Sequence, residues 1–432
     1  MNKLKILNLA TEDWGGSAIA SQYLNDLLIK AGHNSVLVVK RSNSKKENVV
    51  ALQDWSSKYS VKVILQKISS RIYSKYLQIR VGPLDLKYCF RNVFEHKQHF
   101  TAKEILKHSP FNPDIIILHW ISNFINSKMI HELQELTKAK LFWIMMDNAP
   151  ISGGCHYPWD CNGFEFDCSN CPAILTVTKK KLAQINLEHK ITNLPPDLAL
   201  ITCSENDYTR ALRSSAFKTK RVYELLFPLD ENKFKPGNKK EAKSFWGIDP
   251  AVKVIFFGSI SLSDLRKGGI LFLEALHYLQ NKIQEDGTGF GDVVLLIAGR
   301  KEEYVIPELK IPVRKIGYLS ESDLIKAFQA ADVFVSPSLE DSGPLMINQS
   351  VMCGTPVVSF ETGVALDLVI TGQTGYRSTL VNAEQLATGI KFILDLGEKE
   401  HLIMSENCRN LGLRLCHSQK QIEKLLNILH SN

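Results

Sequence analysis

Short apolar runs alternate with segments of helical period along nearly the whole chain, and no other feature restricts the fold as strongly. Residues 4–9, 35–39, 114–119, 141–146 and 198–203 are apolar runs of strand length in the first half. Residues 253–257, 292–298, 332–336 and 356–359 continue the series in the second. Runs without polar alternation belong to strands covered on both faces. Between them, Ile19, Tyr23, Leu24, Leu27 and Leu28 recur at helical spacing, and residues 271–279 and 323–330 also read as helices. This rhythm predicts an α/β protein whose parallel sheets are doubly wound by helices.

A chain of 432 residues is long for one hydrophobic core, so two domains are expected. Residues 227–250 hold Pro228, Pro236, Pro250 and several lysines with little apolar period, which marks the boundary. The expected division is 1–230, carrying a cysteine-rich insert at 153–172, then 231–412, then a C-terminal helix at 413–432. In that last segment Ile422, Leu425, Leu426 and Leu429 share a face.

Composition excludes a disordered or fibrous chain, at 44% hydrophobic and 22% charged residues. A formal charge of +7 over this length favours an anionic ligand or membrane surface and does not demand nucleic acid. Lys3 and Lys5 precede a short apolar stretch cut off by Glu12 and Asp13, which reads as a first buried strand, not a secretory signal. No run approaches the ~20 apolar residues of a membrane span. The expected location is therefore cytoplasmic. In residues 56–82, Lys58, Lys62, Lys67, Arg71, Lys75 and Arg80 alternate with Val61, Val63, Ile64, Leu65, Ile68, Ile72 and Tyr73. That pattern is either a surface helix or a helix lying on the inner face of an anionic membrane.

Three motifs carry chemistry. Gly15-Gly16 follows the first strand and opens a helix, where backbone N–H groups favour an anion and glycine equally suits a tight turn. The pair lacks a full GxGxxG, so a dinucleotide oxidoreductase is not indicated. In the second half, Gly258 ends a strand, and Asp264-Leu265-Arg266-Lys267-Gly268-Gly269 leads into a helix. Two cations there would stabilise the charge of a leaving diphosphate, or form a solvated basic turn. The third is SPSLEDSGPLMINQSVMCGTPVV, residues 336–358, an acidic and glycine-containing loop that enters a helix from a strand end. In parallel sheets such loops line the ligand crevice.

This last stretch resembles the signature of the retaining GT-B glycosyltransferases of family 4. Gly15-Gly16, Arg266-Lys267-Gly268, Gly317-Tyr318, the run Ala331–Ser338 written ADVFVSPS, and Phe227-Pro228-Leu229-Asp230 match the family's other landmarks in order. The resemblance implies two Rossmann-like domains facing a cleft. It implies transfer of a sugar, with retention and without a catalytic metal, from a nucleotide-sugar donor to a glycan or lipid-linked acceptor in surface polysaccharide synthesis. The family carries two glutamates eight positions apart before Gly-Thr-Pro; here those positions are Asp341 and Gln349, with Glu340 as a substitute for the first. Donor contacts are expected from Gly15, Gly16, Gly258, Arg266, Lys267, Gly317, Tyr318, Ser342, Gly343, Pro344, Leu345 and Gln349. Gln349 can hydrogen-bond a ribose hydroxyl but brings no charge.

Many relatives end a first-domain strand in His-Asp; here the pair is Met146-Asp147, so either His119 or His156 fills the role or activity is altered. The catalytic candidates are accordingly Asp341, Glu340, Arg266, Lys267, Asp147 and His119. A catalytically weakened member that binds a glycan or a partner protein is the alternative. Cys155, Cys161, Cys168 and Cys171 form a cluster with one two-residue spacer; the set suits a structural zinc, or else disulfides or free thiols.

Overall fold

The structure, a computed structural model, describes residues 3–43, 46–55, 61–91, 93–98, 100–285, 292–300, 309–343 and 345–431. Lys58 and Pro344 lie outside the described residues, as do the side chains of Val61, Lys62 and Tyr73. The chain forms two compact units. The first comprises residues 1–203, 207–225 and 422–432, and the second residues 204–206 and 226–421. The division therefore falls at 225/226, and the expected tail segment is shared: residues 413–415 end the helix Glu398–Leu415, and the last helix is Ser418–Ser431. Ile422, Leu425, Leu426 and Leu429 of that helix are buried with Leu24, Leu28, Ile115 and Phe142 in a core layer of the first unit.

The first unit has seven parallel strands: β1 (Lys5–Glu12), β2 (Asn34–Ser42), β3 (Val49–Asp54), β4 (Ile115–Leu118), β5 (Lys140–Met145), β6 (Ala199–Thr202) and β7 (Val222–Glu224). Their order is β3-β2-β1-β4-β5-β6-β7. The second has six: β8 (Lys253–Gly258), β9 (Val293–Ala298), β10 (Val313–Gly317), β11 (Val333–Ser336), β12 (Val357–Phe360) and β13 (Gly375–Ser378), in the order β10-β9-β8-β11-β12-β13. Counted within its own unit this is 3-2-1-4-5-6, the Rossmann order. β4, β6, β9, β11 and β12 are buried along their whole length. They can be so because every buried N–H and C=O has a partner in a flanking strand, while apolar side chains fill layers above and below.

The four strands that no apolar run marks, β3, β7, β10 and β13, are the four sheet edges. An edge strand is covered on fewer sides and carries polar side chains, as in Val-Arg-Lys-Ile-Gly of β10. Chain direction reverses across the sheet between β1 and β4 in the first unit and between β8 and β11 in the second. Loops after those strands flank a crevice at the carboxyl edge, where ligands of this architecture bind.

Candidate functional site

In the second unit the two central loops after β8 and β11 interlock. Asp264 caps the short turn Leu265–Lys267 by accepting the Arg266 N–H at 3.1 Å. Gly268 follows with φ of +64°, and a Cβ there would lie 1.8 Å from the carbonyl oxygen of Pro337. Only glycine lets the turn press against the β11 loop in this way. The contact is completed by the Leu339 N–H, which donates to the Arg266 carbonyl at 2.8 Å.

This packing delivers both cations to one carboxylate. Arg266 Nη1 donates to Asp341 Oδ2 and Arg266 Nη2 to Asp264 Oδ2, each at 3.2 Å. Lys267 Nζ is ion-paired with the same Asp341 Oδ2. Asp341 is buried, and burial alone would raise its pKa. Lys267 and Arg266 outweigh that effect, so its carboxyl is held below the usual range and stays ionised. Asp341 is thus turned onto the cations, where it holds them in place. The Glu340 backbone carbonyl also faces Arg266 Nη1, at 3.5 Å, and the Glu340 side chain is buried. The Ser342 carbonyl accepts from Ser204 Oγ, and the Gly343 N–H reaches back to Asp341 Oδ1 at 3.4 Å.

The remaining expected residues of this unit lie at the same carboxyl edge. Gly258 ends β8, and a Cβ there would meet the Met346 side chain. Leu345 opens the helix Leu345–Met352, on which Gln349 is half-buried. Gly317 ends β10 with φ of +76° and accepts the Gly299 N–H at 2.8 Å. Tyr318 follows it at 73% exposure, an aromatic face left to solvent beside the crevice.

In the first unit, Gly15 has φ of +86° and caps the helix Gly16–Lys30 without a side-chain hydrogen bond. A Cβ at either Gly15 or Gly16 would meet nothing within 4 Å. The helix N-terminus therefore opens on free space, with unclaimed N–H groups that suit an anion. Asp147 follows β5 and is buried. Its Oδ1 accepts the Ala149 N–H at 2.9 Å, and its Oδ2 lies 2.6 Å from His156 Nδ1. His156 Nε2 in turn lies 3.1 Å from Ser122 Oγ.

His119 is closed into the core of the first unit. It is 1% exposed, its Nε2 meets Asn8 Oδ1 at 3.0 Å, and burial drives its pKa down to about 3. Held neutral in this way, its ring can exchange hydrogen bonds but carries no charge. Of the two histidines named beside Asp147, the structure brings His156 to it. The signal that would have found this pair was in view: His156 follows directly on the first cysteine of the insert.

The four cysteines of the insert line one small cavity of about 20 Å³ with Tyr88 and Phe164. All are free thiols. Burial pushes Cys168 up to about 12 and raises Cys155 and Cys171. Among the described residues no three His, Cys, Asp or Glu side chains come together in a metal-holding arrangement. The four sulfurs pack within the apolar core of the first unit. Lys190, fully buried beneath them, ties the loop by donating to the carbonyls of Ala149 at 2.6 Å and Ser152 at 2.7 Å.

Two parallel doubly wound sheets, with a cation-bearing turn and an acidic loop meeting at a switch point, define the class: this is a GT-B fold. Residues 239–411 match the family model described as glycosyl transferases group 1. A D-inositol 3-phosphate glycosyltransferase of Catenulispora acidiphila is 23% identical over 208 residues, covering 45% of this chain and 48% of that protein. The chain thus spans about half the length of that curated relative. Among solved structures, Anabaena Alr3699/HepE in complex with UDP and glucose superposes with a TM-score of 0.61 at 14% identity, covering 99% of this chain and 100% of that one. WaaG, a glycosyltransferase involved in lipopolysaccharide biosynthesis, superposes at 0.62 and 13% identity, covering 99% and 100%. At these identities the superpositions establish the fold.

Proposed function

We propose that the protein is a retaining glycosyltransferase that moves a sugar from a nucleotide-sugar donor to a glycan or lipid-linked acceptor. The observation that carries this reading is the group formed by Arg266, Lys267 and Asp341 at the switch point of the second unit. A departing nucleoside diphosphate gains negative charge as the glycosidic bond breaks, and cations fixed beforehand stabilise that charge without reorganising. Asp341 supplies the fixing. Arg266 and Lys267 turn donors to the diphosphate, Gln349 meets the ribose hydroxyls, and Tyr318 offers a face to the base. The group 1 glycosyl transferase match over 239–411 and the UDP-bound relative support the same assignment.

The acceptor is held by the first unit, near Gly15, Gly16 and Asp147. Asp147 orients His156 there. No catalytic metal is required, because the two cations do the electrostatic work and the leaving phosphate takes the acceptor proton. Our reading puts this activity in surface polysaccharide synthesis at the inner face of the cytoplasmic membrane; the likeness to WaaG, a glycosyltransferase involved in lipopolysaccharide biosynthesis, supports the first part of it. The helix Val61–Val81 supports that placement: it contains no acidic residue, and Leu65, Ile72 and Ile79 on it are 60%, 65% and 82% exposed. Among the described residues no helix is long and apolar enough to cross a membrane.

A thermal-shift panel of UDP, GDP and ADP sugars tests the proposal. One donor is expected to raise the melting temperature of the wild type by mass action and to lose that effect in Arg266→Ala/Lys267→Ala. Stabilisation by no nucleotide sugar, or equal stabilisation of wild type and variant, overturns it. Anomeric NMR of the product then tests retention.

A further inference from the structure

The first unit contains a second concavity, of about 380 Å³, walled by three segments: the helix Val61–Val81, residues 93–98, and the stretch running from the turn Val177–Lys179 into the helix Lys181–Asn193. These segments contribute Arg80, Lys97, Lys179 and Lys181 to its lining, with His96, and no aspartate or glutamate. Among the described residues none of the four cations makes an ion pair. Arg80 Nε donates to Tyr76 Oη at 3.1 Å. Lys97 Nζ sits over the rings of Tyr76 and Phe94, at 5.4 and 4.6 Å from their centroids. Like charges gathered without a counter-charge repel one another, so the pocket is arranged for an anion of high charge density.

Its surroundings say which anion. Two of the three wall segments also expose large apolar side chains: Ile185, which lines the pocket, at 51%, and Ile79 and Val177, next in sequence to the lining residues Arg80 and Thr178, at 82% and 78%. A soluble phosphate ligand would have no use for an apolar rim. A phospholipid has use for both parts, with its phosphate in the cationic pocket and its acyl region against the rim. The volume suffices for a phosphate with an attached polyol.

We propose that this pocket seats the phosphate headgroup of an anionic membrane lipid. The inference deepens the membrane placement given above and names its contact. Lys97 and Lys181 reach the phosphate oxygens as point charges, Arg80 as a fork, and Ile79, Val177 and Ile185 enter the acyl boundary. None of these residues belongs to the donor machinery of the second unit.

The test is co-sedimentation of the full chain with phosphatidylcholine vesicles, with and without phosphatidylglycerol. The wild type is expected to bind only the anionic vesicles. Lys97→Glu/Lys181→Glu is expected to weaken that binding on the order of thirtyfold or more, given roughly fivefold per basic residue at a membrane surface. The neutral pair Lys97→Gln/Lys181→Gln repeats the comparison without reversing charge and should fall between. Equal vesicle binding by wild type and both variants overturns the proposal. So does an inorganic pyrophosphate thermal shift that the variants abolish while vesicle binding is unchanged, since the pocket would then serve a soluble anion. Vesicle binding requires no sugar donor. A wild type that binds the anionic vesicles and no nucleotide sugar would therefore remove the transferase reading and leave this one standing.

Discussion

The two units place a glycine turn at the same point of the same topology, after the strand beside the chain reversal, and use it in opposite ways. In the second unit the turn is closed. Gly268 is pressed against the Pro337 carbonyl, and both cations beside it are drawn onto Asp341. In the first unit the turn is open: around Gly15 and Gly16 there is nothing for a side chain to strike. One glycine is required by protein packing, while the other leaves a helix N-terminus uncovered. Glycine spacing alone does not separate these cases, because the difference lies in what the next loop brings.

The comparison can be broken at five points. The largest effect is expected from Arg266→Ala/Lys267→Ala, where sugar transfer should fall by roughly 10³-fold or more, as for removal of charge-stabilising donors, and where the urea midpoint should also drop because buried Asp341 loses both of its cations. Transfer kinetics that barely move would mean that the closed turn serves structure alone. Gly268→Ala should destabilise the second unit by about 3 kcal/mol, since a left-handed residue is strained there and a backbone carbonyl must shift. A variant with wild-type urea midpoint would contradict the packing described.

The third contrast concerns pH and belongs to the first unit. His119 titrates near 3 in the folded state and near 6.5 when unfolded, so below pH 6.5 the unfolded chain binds the extra proton. Stability should be complete above 6.5 and fall by about 1.4 kcal/mol per pH unit down to about 3. His119→Gln should remove that slope; an unchanged slope in urea titrations at several pH values would assign the acid sensitivity elsewhere. Fourth, Asp147→Asn should cost about 2 kcal/mol by weakening a charge-assisted bond to buried His156, read as a lower urea midpoint. Restoration of transfer but not of stability by added imidazole in His156→Ala would further show a chemical role for that ring. The smallest effect is at Gly16. Gly16→Ala should alter stability by less than about 1 kcal/mol and yet weaken acceptor or donor affinity, because the methyl fills ligand space.

Much of the architecture was legible along the chain, and the reasons are local. β4 reads Ile-Ile-Ile-Leu and β9 Val-Val-Leu-Leu-Ile-Ala, and such runs have few alternatives to a strand covered on both faces. The edge strands escaped because partial exposure lets charged residues into them. In the candidate site, Arg266, Lys267 and Asp341 were legible because their motifs stand at strand ends, and strand ends are where parallel sheets bind ligands. His119 also stands at a strand end, but there the Asn8 side chain and the surrounding layers close over it, which the sequence does not show.

What the residues settle by themselves is periodicity: which segments are strands and helices, that the sheets are parallel, that there are two cores, and where the charged loops fall. These follow from apolar burial and chain stiffness, which act over a few residues at a time. Partnership was settled only in three dimensions. Asp341 is joined to two cations more than seventy positions away, His156 to Asp147 and Ser122, and four unneutralised cations from three segments meet around one pocket. Charge pairing, thiol packing and the openness of a helix end depend on distances across the fold, and those distances exist only once the layers have packed.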